Sequence, residues 1–205
     1  TYAAACPPRR TARRSSAAAA GEGGPFRFVV GDAMRLPVRD GAFDLAVSGL
    51  ALNFVPDPAA AAAELRRAVR RGGQAAAYVW DYAEGMGFLR RFWDAAATVD
   101  PAAAARDEGA RFPVCRPERL RAVWEEAGLA EVSVAPIEVP TRFDDFNDLW
   151  APFLAGQGPA PGYLAALPRA TRDQLRDRFD ATVPRQADGS IALTARAWAV
   201  WGRCA

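Results

Sequence analysis

The chain has 205 residues, of which 51% are hydrophobic, and a formal net charge of +2. This length accommodates one domain with a sizeable core. The near-neutral charge gives no field that would attract nucleic acid or an anionic membrane, and no apolar run is as long as a membrane span. Every basic residue is arginine, and histidine is absent. Neither an imidazole nor a lysine amine is therefore available as base, nucleophile or ligand.

The three cysteines, Cys6, Cys115 and Cys204, are far apart and odd in number. Their spacing fits neither a zinc site nor a disulfide framework, so we expect no metal site. Reduced cysteines of this kind are typical of a cytoplasmic protein, which is the location we expect.

Residues 1–24 are low in complexity and consist mainly of Ala, Arg, Pro and Ser. Because this segment has almost no apolar side chain larger than Ala, it is predicted to be flexible or out of frame. The folded domain is predicted over residues 25–205. A basic arm that binds nucleic acid is the alternative function for residues 1–24, and we do not favour it.

Strand and helix signals alternate between Phe26 and Tyr82, as in a parallel sheet covered by helices. Short apolar runs predict the strands, and an alanine-rich run predicts the helix between the last two of them. The predicted elements are strands at Phe26–Val30, Phe43–Val47 and Gln74–Trp80 and a helix at Ala59–Val69.

Two signals delimit the alanine-rich helix. Asp57-Pro58 is a typical helix start, because the Asp side chain accepts from free N–H groups and Pro lacks an N–H at the next position. Arg70 and Arg71 are predicted to lie at the negative end of the helix, and Gly72-Gly73 to terminate it with positive φ angles.

The ordered series GDAMRLPVRDGAFDLAVS, a helix that ends in VRRGG and a strand that ends in Trp80-Asp81-Tyr82 resembles the central part of class I S-adenosylmethionine-dependent methyltransferases. The resemblance is closest to the small-molecule methyltransferases of many bacteria. It implies a Rossmann-like α/β fold with a mostly parallel sheet and a C-terminal antiparallel strand pair. It also implies S-adenosylmethionine as cofactor and a small, apolar acceptor as partner.

The same resemblance implies a set of cofactor-binding residues. Asp32 matches the family's Asp that accepts a hydrogen bond from the adenine amino group, and Ala33 and Met34 follow it beside the ring. Ser48, Gly49 and Leu50 match the backbone under the methionine moiety. The residues alone agree with this reading, because ligands of open α/β sheets bind at the carboxyl ends of the strands. The alternative role of Asp32 is to start a turn before Leu36-Pro37.

Acceptor-binding residues follow from the same match. Asn53 is expected where the transferred methyl group meets its acceptor, with Trp80, Phe88 and Trp150 as further contacts. If the acceptor is a hydroxyl group, Asp81 or Tyr82 is the candidate base. Each has a structural alternative: a turn for Asn53, core packing for the aromatic residues, a cap for Asp81 and a packed ring for Tyr82.

The C-terminal half continues the fold. A helix is predicted from Pro117 to Gly128, and strands at Glu131–Val139 and Ser190–Trp201 are predicted to pair in antiparallel fashion. Residues 144–183 form a helical insertion that includes a flexible connection at Gly156–Gly162. Helices at Phe88–Ala97 and Asp145–Phe153 are expected to form part of a lid.

The glycine-rich cofactor loop of the resembled family is not found, since Gly21-Glu22-Gly23-Gly24 has no strand before it and no helix after it. We therefore expect the N-terminal strands to be missing and the chain to be a fragment. Two functions stay open: methyl transfer, or a non-catalytic remnant that associates through its aromatic C-terminal helices. A nicotinamide-dependent reductase is a weaker third, because its common short-chain type uses a Tyr and Lys pair. The oligomeric state is not predicted.

Overall fold

The computed structural model describes residues 29–155 and 158–205. The segment 1–24, predicted to be flexible, lies outside the described residues. The strands are β1 (Phe43–Gly49), β2 (Val69–Trp80), β3 (Leu129–Phe143) and β4 (Ile191–Cys204). The α-helices are α1 (Pro58–Ala68), α2 (Gly87–Val99), α3 (Glu108–Arg111), α4 (Pro117–Glu126), α5 (Phe146–Leu154), α6 (Pro159–Ala166) and α7 (Arg169–Thr182). Short 3₁₀ helices occur at Leu52–Phe54, Pro101–Arg106 and Pro113–Cys115.

The four described strands form one sheet in the order β1-β2-β4-β3. β1 pairs with β2 in parallel, with α1 as the crossover between them, whereas β4 is antiparallel to both β2 and β3. The predicted α/β fold with a C-terminal antiparallel pair is therefore confirmed. Within the described residues only one of the three pairings is parallel.

The predicted strand at Phe26–Val30 is not seen in its described part. Phe26, Arg27 and Phe28 lie outside the described residues, while Val29 and Val30 have no strand pairing and are 67% and 74% exposed. A strand needs a neighbour for its backbone N–H and C=O groups. Within the described residues, β1 is paired on the β2 side only.

The start of α1 agrees with the sequence, but its end does not. The Asp57 side chain caps the helix by accepting from the backbone N–H groups of Ala59 and Ala60, each at 3.0 Å. The helix ends at Ala68, and Arg70 to Gly73 belong to β2 rather than to a helix terminus. Gly72 has the expected positive φ of 78°. This conformation lies at the irregularity where β2 shifts its pairing register with β1.

Replacing Asp57 with alanine is expected to lower the free energy of unfolding by about 1 kcal/mol, because two N–H groups of the first turn lose their acceptor. Chemical denaturation of the wild-type and variant chains measures this difference. Asp57→Ser, which retains a capping oxygen, should recover most of the loss. An equal loss in both variants would contradict the capping role.

The helical insertion is more regular than predicted. Helix α5 begins after the Asp145 cap as expected, and α7 lies within the predicted insertion. The expected flexible connection at Gly156–Gly162 is wrong in its described part, because α6 begins at Pro159. A proline at the first helical position is favourable, since the missing N–H is one that the helix does not use.

Two apolar clusters form the core. The first lies among the helices, where the Phe92 ring stacks on the Phe153 ring at 4.4 Å between centroids and the Phe179 ring packs edge-on against both. The second lies between the sheet and helices α1 and α4, with Trp124 fully buried at its centre. The Trp124 indole N–H also donates to the carbonyl of Ala75 in β2. No described helix has the length and apolar character needed to cross a membrane.

The opposite face of the sheet carries exposed apolar side chains. Leu45 and Val47 on β1 and Ile137 and Val139 on β3 are each more than 40% exposed. Alternate residues of a strand point to opposite faces, so these side chains face away from the second cluster. Within the described residues this face is covered only in part, because the first cluster buries Ile191 and Ala195 of β4 on it.

Candidate functional site

The carboxyl ends of the two parallel strands lie side by side. Gly49, the last residue of β1, pairs with Tyr78 of β2, and the Leu50 N–H donates to the Tyr78 carbonyl at 2.8 Å. Leu50 then turns with a φ of 52°, a conformation that residues other than glycine seldom adopt. Strained backbone of this kind is concentrated at functional sites. The predicted residues Ser48 to Leu50 are thus brought next to the end of β2.

Asn53 lies directly beyond this turn, in the 3₁₀ helix that follows β1. Its side chain is 7% exposed, and its Nδ2 is buried without a hydrogen-bond partner among the described residues. A buried donor without an acceptor costs about 1 to 3 kcal/mol. The neighbouring Tyr82 hydroxyl or a ligand atom could accept from Nδ2 and remove this cost, and the binding role of Asn53 stays a prediction.

Tyr82 follows β2 and faces the same region. Burial raises the pKa of its hydroxyl to about 12, nearby Cys115 and Glu108 act in the same direction, and Asn53 acts in the opposite one. The phenol is therefore protonated at neutral pH, where it can donate a hydrogen bond, and its candidate role as a base stays a prediction. The Phe112 ring packs against it at 5.5 Å and also meets the half-exposed Phe54 ring at 5.4 Å.

The Asp81 carboxylate is engaged in hydrogen bonds with neighbouring residues. The carboxylate is almost fully buried and accepts from Arg196 Nε at 2.8 Å and Nη2 at 2.7 Å. Its other oxygen accepts from the Glu84 N–H. This arrangement ties the end of β2 to β4 and matches the cap role that the sequence left open. The candidate base function of Asp81 stays a prediction.

A second buried carboxylate lies close to Tyr82. Glu108 is 3% exposed and accepts a hydrogen bond from the Trp93 indole N–H, while the adjacent Asp107 binds Arg90. Burial raises the pKa of Glu108 above its usual value. An added Cβ at neighbouring Gly109 would lie 2.9 Å from the Tyr82 carbonyl oxygen, which shows how closely α3 approaches the end of β2.

Replacing Glu108 with glutamine is expected to stabilise the protein at pH 8. Because the raised pKa means that the folded state binds the proton more tightly than the unfolded chain, the wild type loses stability as pH rises above 4.5. The glutamine oxygen can still accept from Trp93. Denaturation midpoints between pH 3.5 and 8 should diverge with rising pH and converge at the acidic end, whereas a constant difference would contradict the raised pKa.

The turn that carries Asp32 is followed by a segment that contacts α1. The Asp32 Oδ1 accepts from the Met34 N–H at 2.9 Å, and the Arg35 N–H donates to the Asp32 carbonyl. The segment then contacts the last turn of α1, next to the amino end of β2, through Leu36. No described hydrogen bond joins Asp32, Ala33 or Met34 to Asn53 or Tyr82. Asp32 and Ala33 are exposed and accessible to a ligand.

The three predicted aromatic contacts lie around the helical cluster. Trp150 is buried among Phe92, Phe146, Phe153 and Phe179, and half-buried Phe88 packs edge-on against Phe143 and Phe153. Trp80 is half-buried beside the same cluster. Core packing, the alternative stated above, describes Phe88 and Trp150 in this structure, and their contact with an acceptor stays a prediction.

Sequence reasoning missed three residues near the end of β2. Phe112 and Glu108 belong to a polar, alanine-rich stretch with no periodic signal, so nothing in the sequence indicated that they reach Tyr82. Tyr78 was seen only as a strand residue. An added Cβ at Gly49 would lie 2.6 Å from the Tyr78 hydroxyl, so the ring covers the end of β1 where only glycine leaves room.

Comparison with known proteins agrees with this architecture. Residues 5–77 match a family model described as a methyltransferase domain, so the match begins within the segment that the sequence analysis set apart. A candidate methyltransferase of Bacillus halodurans C-125 is 16% identical, with a TM-score of 0.53 over 95% of this chain and 78% of that chain. A candidate methyltransferase from an antibiotic biosynthesis pathway of Anabaena variabilis is 14% identical, with a TM-score of 0.50 over 85% of this chain and 72% of that chain. A search of curated proteins gave no match.

The structural matches establish the fold, which is that of a Rossmann-like α/β domain. The family match covers residues 5–77, which are less than half of the chain. The chain is therefore similar to class I, S-adenosylmethionine-dependent methyltransferases in its fold and, over residues 5–77, in its sequence. The predicted resemblance is confirmed.

Proposed function

We propose that the chain transfers the methyl group of S-adenosylmethionine to a small acceptor held at the carboxyl ends of β1 and β2. The observation that carries this proposal is the buried, unpartnered Nδ2 of Asn53 next to the strained Leu50. A functional site explains both features, because an unpaired donor and a positive φ each destabilise the free protein.

The cofactor arrives with its methyl group already activated on a sulfonium, so the protein mainly has to align and desolvate the two reactants. Ser48, Gly49 and Leu50 offer backbone beside the methionine moiety, and Asp32 offers a carboxylate to the adenine amino group. Asn53 orients the acceptor through its free N–H group. Tyr82, which stays protonated, donates a hydrogen bond and excludes water together with Phe112.

An apolar or aromatic acceptor fits this region best. The rings of Phe54, Phe112 and Tyr82 adjoin one another beside Asn53, and Phe54 is partly open to solvent. A planar ligand packs well against rings of this kind. The rival function, a remnant that associates through its aromatic helices, has less support, since the large rings of α2 and α5 that form the first cluster are mostly buried.

The test is transfer of labelled methyl from S-adenosylmethionine to a panel of small aromatic and aliphatic acceptors with hydroxyl or amine groups. We expect turnover with at least one aromatic member and loss of that turnover in Tyr82→Ala. Absence of transfer to every member, together with no binding of S-adenosylhomocysteine by the wild-type chain, would contradict the proposed function.

A further inference from the structure

The segment 29–41, which carries Asp32, is attached to the molecule in an unusual way. Within the described residues, every hydrogen bond between this segment and the rest of the chain ends on Glu64 or Arg67 of α1. No described strand pairs with it, apart from a bridge between Asp32 and Arg35 inside the segment. Its position therefore depends on two residues of one helix.

Arg67 uses both terminal nitrogens of its guanidinium for this attachment. Nη2 donates to the Leu36 carbonyl at 3.0 Å, and Nη1 donates to the Val38 carbonyl at 2.9 Å and to Asp40 Oδ1 at 2.6 Å. Nε and Nη2 also bind the two oxygens of Glu64, at 2.7 and 2.8 Å. Such a planar fork fixes direction as well as distance, which a lysine amine does not.

Glu64 also binds the segment, through the backbone N–H of Leu36. Its Oε2 accepts from the Leu36 N–H at 2.7 Å while it also binds Arg67. Both backbone groups of Leu36 are thus satisfied by side chains, as a neighbouring strand would satisfy them. The Arg67 carbonyl accepts from the Gly41 N–H at 2.8 Å and fixes the far end of the segment.

Contacts within the segment 29–41 link Leu36 to Asp32. Pro37 packs so closely on Gly31 that an added Cβ there would overlap the Pro37 Cδ. The Met34 and Arg35 N–H groups bind the Asp32 side chain and carbonyl, respectively. Because only three residues separate Asp32 from Leu36, a shift of Leu36 moves the Asp32 carboxylate.

We propose that Glu64 and Arg67 are positioning residues for the cofactor, which hold the Asp32 turn where its carboxylate can meet the adenine amino group. The inference depends on the proposed function, since it assigns the adenine contact to Asp32. Neither residue touches the cofactor itself.

The charge state of the pair supports this role. The hydrogen bond from Arg67 holds the pKa of Glu64 below its usual value of 4.5, and the Leu36 N–H acts in the same direction. The attachment is therefore complete above pH 4.5 and is lost as pH falls through the lowered pKa.

The experiment measures the affinity of the full chain for S-adenosylhomocysteine by isothermal titration in the wild type, Arg67→Lys, Glu64→Gln and Asp32→Ala. Arg67→Lys keeps the charge but loses the fork, and we expect about a tenfold weaker affinity. The matched control is Arg66→Lys, because Arg66 hydrogen-bonds only to the Gly128 carbonyl among the described residues, and this variant should leave affinity within about twofold of wild type. Hydrogen exchange of residues 31–40 should be faster in Arg67→Lys without ligand.

The double variant Asp32→Ala/Arg67→Lys separates positioning from general stability. If Arg67 acts through Asp32, the double variant binds no more weakly than Asp32→Ala alone, since the contact that Arg67 positions is already gone. Fully additive losses, or wild-type affinity in Arg67→Lys, would overturn the inference. If Arg67→Lys fails to fold, Glu64→Gln takes its place in the same cycle. Unchanged affinity in Asp32→Ala would instead refute the adenine contact, and the inference with it.

Discussion

Replacing Asn53 with leucine is expected to reduce methyl transfer by about 100-fold while leaving the protein as stable as before or more so. Leucine keeps the branching at Cγ but has no N–H group, so the acceptor loses its orienting hydrogen bond in the transition state. The same change removes the buried donor that lacks a partner, which we expect to raise the free energy of unfolding by about 1 kcal/mol.

The combination of lost activity and unchanged or increased stability distinguishes a binding residue from a structural one. Methyl transfer to whichever panel member the wild type accepts gives the first quantity, and chemical denaturation gives the second. The matched control is Asn147→Leu, which changes the other asparagine of the chain at an exposed position on α5 where it binds Arg176. If Asn53→Leu retained activity and lost stability, Asn53 would be a structural turn residue.

Replacing Asp32 with alanine is expected to weaken S-adenosylhomocysteine binding by roughly 10- to 100-fold, since a hydrogen bond to a charged group contributes about 1.5 to 3 kcal/mol. Asp32 is exposed, so the change should leave the denaturation midpoint nearly unaltered. Isothermal titration measures the affinity.

Asp44→Ala serves as the control for Asp32→Ala. Asp44 on β1 is another exposed carboxylate, and it is paired with Arg70 on β2. Its loss should not alter cofactor affinity. Adenosine should lose affinity in Asp32→Ala as strongly as S-adenosylhomocysteine does, because the carboxylate is assigned to the adenine end. A loss confined to S-adenosylhomocysteine would place Asp32 at the other end of the ligand.

The elements with strong local signals were predictable from the sequence. Strand β1, the Asp57 cap and helix α4 up to Gly128 follow from apolar runs, capping residues and glycine, all of which act within a few residues. Gly72-Gly73 was misinterpreted because a glycine pair suits a helix end and a strand irregularity equally. Only the close approach of Gly73 to the Asp44 carbonyl distinguishes the two.

The candidate site was predictable where it depends on strand order and not where it depends on packing. The ends of parallel strands meet at one edge, so the proximity of Leu50, Asn53 and Tyr82 followed from the alternation of strand and helix. Trp150 was assigned to the acceptor because its helix was expected to form part of a lid, but periodicity does not say what an apolar face contacts. The attachment by Glu64 and Arg67 was missed, since its contacts join residues about thirty positions apart.

A crystal structure of the chain with S-adenosylhomocysteine tests the central claim most directly. We expect the adenine ring beside Asp32 and Ala33, the sulfur beside Leu50 and the Asn53 Nδ2 facing the space next to that sulfur. A ligand bound elsewhere, or one that reaches the ends of β1 and β2 without contact to Asp32, would contradict the account.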